Sequence, residues 1–174
     1  MQPNEDAYKW LRKLGLGTAI VLSGTFLVAP HEGKVNKTYI DPVGIVTSCL
    51  GHTGKELRIG QKFSDEQCYA QMAEDLENSQ RYVHLYVKVP LNVYQEAALI
   101  SFTYNAGVAK LASSTMLRQF NAGDYKHGCE ELLKWTYANH KQLPGLVSRR
   151  KDEEEMCLGN KDIVDFVKQE GLNR

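Results

Sequence analysis

The spacing of apolar residues in the second half of the chain predicts helices. Between residues 69 and 83 apolar side chains recur every three or four positions, which is helical spacing. Ser64 followed three residues later by Gln67 forms a capping box at the start of this helix. Asn92 with Gln95 opens a second helix in the same way. Shorter helices are predicted at 113–121, 124–135 and 145–158.

The segment before these helices has the composition of strands. Residues 38–62 are rich in Gly, Thr, Val and Ile and are interrupted by turn signals, which predicts two or three short strands. The chain is therefore expected to be α+β, with a small β lobe at about 36–62, a helical lobe at about 63–174 and a cleft between them. Within the helical lobe, residues 160–174 predict one or two final amphipathic turns.

The N-terminal apolar run is the other strong feature of the pattern. Residues 14–30 contain no charged side chain and follow Lys9, Arg12 and Lys13. As a helix this run would span about 25 Å, against about 30 Å for the hydrocarbon core of a bilayer. Its glycine and hydroxyl residues dilute an insertion free energy of roughly −0.3 to −0.6 kcal/mol per apolar residue. Membrane insertion is therefore expected to be marginal and reversible.

Three interpretations of this run remain open. A signal peptide would be cleaved after Ala29, where Pro30 is expected to hinder cleavage. A soluble protein would bury the run as a glycine-rich core helix. The favoured interpretation is a weak, uncleaved membrane anchor, which divides the chain into residues 1–30 and 31–174. The excess of positive charge then places residues 1–13 in the cytoplasm and the remainder on the side where disulfides form.

Composition and charge exclude several classes of protein. The 174 residues correspond to one domain, and 43% hydrophobic and 24% charged residues exclude wholesale disorder, collagen and coiled coil. Lys and Arg number 21, as do Asp and Glu, and this balance argues against a dedicated nucleic-acid-binding protein. The histidines lack the spacing of zinc ligands, and the four cysteines form no CxxC pair, so no metal site is expected.

Residues 31–54 carry the candidate chemistry. Glu32 lies two residues after the apolar run, and an apolar edge disfavours the charged form of a carboxyl, which suits a general acid. Asp41 lies in a predicted turn, where hydration keeps it ionised. Thr47 is placed to hydrogen-bond a water held by Asp41. Two carboxyls in opposed environments are the pattern of glycosidases, although a turn aspartate and an isolated glutamate with no chemical role remain an alternative.

These residues resemble a known signature. Glu-Gly at 32–33, Tyr-x-Asp-x-x-Gly at 39–44 and Thr-x-x-x-Gly-His-Thr at 47–53 are similar to the active-site pattern of phage lysozymes of glycoside hydrolase family 24. Within that family, the weak anchor and the positions of the cysteines resemble those of signal-anchor-release (SAR) endolysins. Further matches extend the resemblance over about residues 31–158.

The resemblance implies a lysozyme-like fold and a muramidase that needs no cofactor. Such an enzyme hydrolyses the β-1,4 bond between N-acetylmuramic acid and N-acetylglucosamine in peptidoglycan, with inversion favoured. Carried onto this chain, Glu32 protonates the leaving oxygen, Asp41 activates or positions water, and Thr47 helps to hold that water. Three further residues are candidates for substrate binding: Tyr39, Asn105 and Gly107.

The same resemblance implies the partners and the location. The expected partners are peptidoglycan and, before release, the host inner membrane through residues 14–30. The enzyme is expected to be a monomer that is released to the periplasm for host lysis. Because Glu32 follows the anchor so closely, release is expected to let the anchor pack on the enzyme and complete the cleft. A lytic transglycosylase and a non-catalytic peptidoglycan-binding protein are the alternatives.

Three basic residues and two possible disulfides complete these expectations. His52 is expected to brace the hairpin, and Arg149 and Arg150 to pair with the acidic residues at 152–155. Four cysteines allow three connectivities. Cys49–Cys68 and Cys129–Cys157 are favoured because each pair joins neighbouring elements.

Overall fold

The computed structural model describes residues 1–42 and 44–172, and places most of them in helices. The helices are α1 (Glu5–Lys13), α2 (Thr18–Leu22), α3 (Asp65–Tyr86), α4 (Val93–Ala106), α5 (Val108–Ser113), α6 (Thr115–Asn121), α7 (Tyr125–Glu130), α8 (Pro144–Cys157) and α9 (Lys161–Gln169). A π-helix (Ser23–Val28) continues α2, and a 3-10 helix (Glu131–Lys134) continues α7. The strands are β1 (Val35–Ile40), β2 (Val46–Cys49), β3 (His52–Thr53), β4 (Tyr137–Ala138) and β5 (Lys141–Gln142).

The β lobe is an antiparallel sheet in the order β1-β2-β3. Tyr39 on β1 lies opposite Thr47 on β2, and Thr47 in turn lies opposite Thr53 on β3. The turn between β2 and β3 requires Gly51, whose φ of 89° is poorly tolerated by residues with a Cβ. The sheet therefore confirms the strands predicted within residues 38–62 and brings Tyr39 and Thr47 together.

Helix α4 is the centre of the helical lobe. Residues 97–103 are all buried, and α4 packs against α2, α3, α8 and the π-helix. Both predicted capping boxes are present: Ser64 with Gln67 caps α3, and Asn92 with Gln95 caps α4. The start of each long helix is thus fixed by local sequence, whereas its position is fixed by burial of its apolar side.

The N-terminal apolar run lies in this core. Every residue from 18 to 29 is buried. Gly24 permits the close packing, because a Cβ at this position would lie 2.4 Å from the Leu11 side chain and 3.1 Å from that of Leu76. Among the described residues, no helix has both the length and the apolar character needed to cross a bilayer. The structure therefore shows the run in the packed conformation, as expected of a buried core helix.

Helix α9 packs against the N-terminal helices. The ring of Phe166 makes edge-to-face contacts with Tyr8 on α1 and with Phe26 on the π-helix, at centroid distances of 5.3 and 5.0 Å. The Thr18 hydroxyl donates a hydrogen bond to the Leu172 carbonyl at 2.5 Å. The amphipathic turns predicted at 160–174 are thus a helix with an apolar side that faces the N-terminal segment. Residues 173–174 fall outside the described residues.

Two disulfides have the favoured connectivity. Cys49 pairs with Cys68 and joins β2 to α3. Cys129 pairs with Cys157 and joins α7 to α8. The first bond attaches the β lobe to the helical lobe, and the second links two helices of the helical lobe.

Helix α5 and the hairpin of β4 and β5 were not predicted from the sequence. Gly107, with a φ of 92°, ends α4, and α5 begins at the next residue, whereas the sequence had suggested only a separator between helices. The short hairpin of β4 and β5 was also missed. Its turn places Asn139 and His140 at positive φ without a glycine, so the usual hairpin signal is lacking.

We predict that Phe166→Ala lowers the free energy of unfolding by about 2 kcal/mol, because it removes both edge-to-face contacts of a partly buried ring. Lys168→Ala, an exposed position on the same helix, serves as the control and should change stability by less than about 0.5 kcal/mol. Urea unfolding followed by circular dichroism measures both variants. Equal midpoints for the two variants would contradict the packing role of α9.

Candidate active site

A cleft of about 270 Å³ lies where the β lobe meets the helical lobe. It contains five of the six candidate residues from the sequence and omits Gly107, which instead ends α4. The lining residues are Glu32, Tyr39, Asp41, Thr47, Gly51, Thr53, Tyr104 and Asn105. Residues from the N-terminal segment, the sheet and α4 therefore share one open site.

Glu32 is positioned by the end of the buried N-terminal segment. Its backbone N–H donates to the Val28 carbonyl at 3.0 Å, which ties it to the last turn of the π-helix. Arg149 on α8 donates from Nη1 to Glu32 Oε1 at 2.6 Å. A Cβ at Gly51 would lie 3.3 Å from Oε2, so glycine leaves space beside this oxygen. The carboxyl group thus has one oxygen held by Arg149 and one beside the bare backbone of Gly51.

The contact with Arg149 corrects the expectation that the Glu32 carboxyl has apolar surroundings. The sequence placed Arg149 beside the acidic residues at 152–155, and Arg149 Nε does lie 3.5 Å from Glu153 Oε1. The same guanidinium, only 5% exposed, also reaches Glu32, which is 25% exposed. Helical spacing reveals pairs within α8 but carries no information about a residue 117 positions away.

Asp41 and Thr47 converge on the turn that joins β1 to β2. The Ile45 N–H donates to Asp41 Oδ1 at 2.8 Å, and the Asp41 N–H donates to the Ile45 carbonyl at 3.0 Å. The Thr47 hydroxyl donates to the same carbonyl at 3.2 Å, and Thr47 is only 4% exposed. The turn expected at Asp41 therefore also orients its carboxylate and the Thr47 hydroxyl.

Two tyrosines place neutral hydroxyl groups in the cleft lining. The Tyr104 hydroxyl donates to the Leu50 carbonyl at 2.6 Å, and burial raises the pKa of Tyr104. Burial likewise raises the pKa of Tyr39, and the negative charges of Glu32 and Asp41 add to this effect. Sequence reasoning proposed Tyr39 but missed Tyr104. The one available signal was that Tyr104 directly precedes Asn105 in a matched part of the chain.

Behind the cleft lies a buried polar cluster that the sequence only partly revealed. Arg150 donates from Nη2 to Asn105 Oδ1 at 2.5 Å, and its guanidinium lies 5.1 Å from the centroid of the Phe102 ring. Arg150 Nε is also 3.0 Å from Glu153 Oε2. The pairing of Arg150 within α8 is as expected, whereas its contact with the cleft residue Asn105 was not predicted.

His52 joins the hairpin to helix α3, as expected. Its Nδ1 lies 2.7 Å from Asp75 Oδ2, and its Nε2 lies 2.8 Å from Glu56 Oε1. The hydrogen bond to Asp75 is the main cause that raises the pKa of His52 to about 9, and Glu56 acts in the same direction. Over residues 1–42 and 44–172, no group of three or more His, Cys, Asp or Glu side chains has the arrangement of a metal site.

Comparison with known proteins identifies the family. The family model described as "Phage lysozyme" matches residues 29–153. The chain belongs to the phage lysozyme family. This lysozyme is 39% identical over 150 residues to the SAR-endolysin of Bacteriophage PS119, a match that covers 83% of this chain and 90% of the relative. It is a phage endolysin of the lysozyme type, a glycoside hydrolase that acts on peptidoglycan.

Solved structures agree with this fold. The muramidase domain of SpmX from Asticaccaulis excentricus aligns with a TM-score of 0.70 at 29% identity, covering 76% of this lysozyme and 92% of that domain. The active form of the P1 phage endolysin Lyz aligns with a TM-score of 0.77 at 20% identity, covering 89% and 94% of the two chains. The lysozyme-like α+β fold implied by the signature is therefore confirmed.

We predict a pH-dependent contribution of His52 to stability. Because the pKa of His52 is raised on folding, its stabilising effect is complete below about pH 6.5, the unfolded value, and is lost as the pH rises through about 9. The wild type should lose about 2 kcal/mol more than His52→Gln between pH 6 and pH 10. Thermal unfolding at both pH values measures this difference, with the exposed His84→Gln as the control. An identical pH dependence in wild type and His52→Gln would refute the contribution.

Proposed function

We propose that this lysozyme is a muramidase that hydrolyses the β-1,4 bond between N-acetylmuramic acid and N-acetylglucosamine, with Glu32 as the general acid. Asp41 and Thr47 hold the attacking water. The observation that carries this proposal is that Glu32, Asp41 and Thr47 line one cleft although they come from different elements. A carboxyl acid and a second carboxylate around one cleft are the groups that glycoside hydrolysis requires.

The contacts of Glu32 support its role as the proton donor. Arg149 engages Oε1, so Oε2 is the oxygen that carries the proton toward the glycosidic oxygen. Gly51 lies beside Oε2 without a side chain, and this leaves space for the sugar to approach. The aglycone departs with the proton, and positive charge develops at the anomeric carbon of the remaining sugar.

Asp41 and Thr47 act on the water. The Ile45 N–H orients the Asp41 carboxylate, which accepts a proton from the water as the water attacks the anomeric carbon. The Thr47 hydroxyl donates to the Ile45 carbonyl, so its lone pairs are available to accept a hydrogen bond from the same water. Attack from the face opposite the leaving group inverts the anomeric configuration, which is the outcome favoured for this enzyme.

We predict that Glu32→Gln lowers the rate of peptidoglycan hydrolysis by about 100-fold or more, because the amide cannot donate the proton. Asp41→Asn should also be strongly impaired. Glu66→Gln, at an exposed glutamate on α3, makes the same chemical change away from the cleft and should retain full activity. The measurement is mass spectrometry of muropeptides released from purified peptidoglycan, with nuclear magnetic resonance to detect the first anomer formed.

The products separate the alternatives. Reducing muramic acid ends of inverted configuration support the proposal. Anhydro ends would indicate a lytic transglycosylase, in which Asp41 has no water to activate. Retained configuration would exclude inversion. Equal binding without cleavage by wild type and Glu32→Gln would indicate a peptidoglycan-binding protein.

The same protein is proposed to begin as a membrane protein and to act after release as a monomer in the periplasm. Residues 14–30 form the weak anchor, and residues 1–13 lie in the cytoplasm. The uncharged run, its basic flank and the relative described as a SAR-endolysin support this cycle. Because the Glu32 N–H bonds to Val28 at the end of the run, insertion of the run in lipid would separate Glu32 from Arg149. Release and completion of the cleft are thus the same event.

We predict that Gly17→Leu delays release, because it makes the run more apolar. The packed enzyme tolerates the change, since Gly17 is exposed and a Cβ there meets no atom within 4 Å. A larger share of the variant should sediment with membranes after alkaline extraction, and host lysis should occur later. Purified, detergent-free Gly17→Leu should hydrolyse peptidoglycan at the wild-type rate.

The control for this experiment is Gly145→Leu, which adds the same side chain outside the run at a position with no neighbouring atom within 4 Å. It should not alter sedimentation. Equal sedimentation of Gly17→Leu and Gly145→Leu would contradict the anchor.

A further inference from the structure

A buried chain of alternating charges connects the cleft to the interior of the helical lobe. Glu32 accepts a hydrogen bond from Arg149 at 2.6 Å. Glu153 then lies between two guanidinium groups, 3.5 Å from Arg149 Nε and 3.0 Å from Arg150 Nε. The Glu153 side chain is completely buried, and the two arginine side chains are 5% and 1% exposed. At this depth water screens the charges weakly, so each charge strongly affects its neighbours.

Glu153 lies between two cations and accepts a hydrogen bond in the interior of the lobe. The Ser101 hydroxyl donates to Glu153 Oε1 at 2.7 Å. Burial is the largest influence and raises the pKa of Glu153, while the positive charges of Arg150 and Arg149 and this hydrogen bond offset part of that rise. Because arginine stays protonated, a neutral Glu153 would leave two buried cations without an adjacent anion on α8. The carboxylate is therefore the form that balances the cluster.

Arg149 is the cation in contact with Glu32, so any group that offsets the positive charge of Arg149 also affects Glu32. Tyr39 and Tyr104 face Glu32 with neutral hydroxyl groups, and Asp41 lines the same cleft with a negative charge. Behind Arg149, the anion in contact is Glu153. His31, next to Glu32, is itself paired with Asp152 at 2.7 Å.

We propose that Glu153 is a positioning residue for hydrolysis, one that offsets the charge of Arg149 beside Glu32 and holds Arg150 against Asn105. This inference rests on the proposed function, in which Glu32 donates the proton. A guanidinium whose charge is not offset favours the ionised form of a neighbouring carboxyl, and an ionised carboxylate cannot donate a proton. Glu153 reduces that field, while Arg149 still fixes the orientation of the Glu32 carboxyl.

Two variants of opposite charge test the proposal. Glu153→Gln adds one net positive charge to the cluster, so the alkaline limb of the hydrolysis rate should move to lower pH by roughly one unit. The rate at pH 7 should then fall about 10-fold. Arg150→Gln removes one positive charge, and the alkaline limb should move to higher pH. The measurement is kcat/KM for release of reducing ends from soluble glycan strands between pH 5 and pH 10.

Matched controls separate electrostatics from folding. Glu154→Gln, the neighbouring and partly exposed position on α8, should leave the pH profile unchanged. The double variant Glu153→Gln with Arg150→Gln restores charge balance, and its alkaline limb should return close to that of the wild type. Circular dichroism establishes which variants fold. If Glu153→Gln fails to fold, Arg150→Gln and the double variant still decide the direction of the shift.

The results distinguish a failure of the role of Glu153 from a failure of the proposed function. Folded variants whose alkaline limbs do not move, or move in the same direction for both single changes, would overturn the role of Glu153 while Glu32→Gln remains inactive. Full activity of Glu32→Gln would instead overturn the proposed function, and the role of Glu153 with it.

Discussion

Glu32 and Arg149 lie 117 positions apart in the chain, and their side chains meet at 2.6 Å. This contact requires that the N-terminal apolar segment end beside α8. That position in turn requires the buried packing of residues 18–29 against α4. The cleft is therefore not a property of the β lobe alone. The place of Glu32 in the cleft depends on the packing of the N-terminal segment in the core of the helical lobe.

The ion pair also explains why so much charge lies below the surface of this lobe. Burying a single cation costs several kcal/mol of desolvation, and Arg149 is nearly inaccessible to solvent. Its two carboxylate neighbours, Glu32 in the cleft and Glu153 in the interior, reduce that cost from opposite sides. The arrangement keeps a fixed donor at one oxygen of Glu32 without leaving an unbalanced charge in the core.

Local sequence predicted those features of the fold that depend on local interactions. The capping residues Ser64 and Asn92 mark helix starts because their side chains bond to backbone only three residues away. The strands and the turn at Asp41 followed from composition and turn residues in the same way. The resemblance of residues 32–53 to a lysozyme signature then supplied candidate roles that spacing alone left open.

The remaining features depend on distant contacts and could not be read from spacing. Helical spacing identifies Glu153, four residues away on α8, as a partner of Arg149, but it does not identify Glu32. The apolar run at 14–30 has one composition that suits both lipid and a protein core, because both environments exclude water. Helix α5 was missed because Gly107 ends one helix while the chain immediately starts another.

The packing of α9 against the first helices has a consequence for the order of synthesis. A ribosome adds about 5–20 residues per second, so residues 14–30 emerge several seconds before α4, α8 and α9 exist to cover them. During that interval the apolar run can pack only against α1 and, later, α3. The order of synthesis thus leaves the run only partly covered until the C-terminal half of the chain has been made.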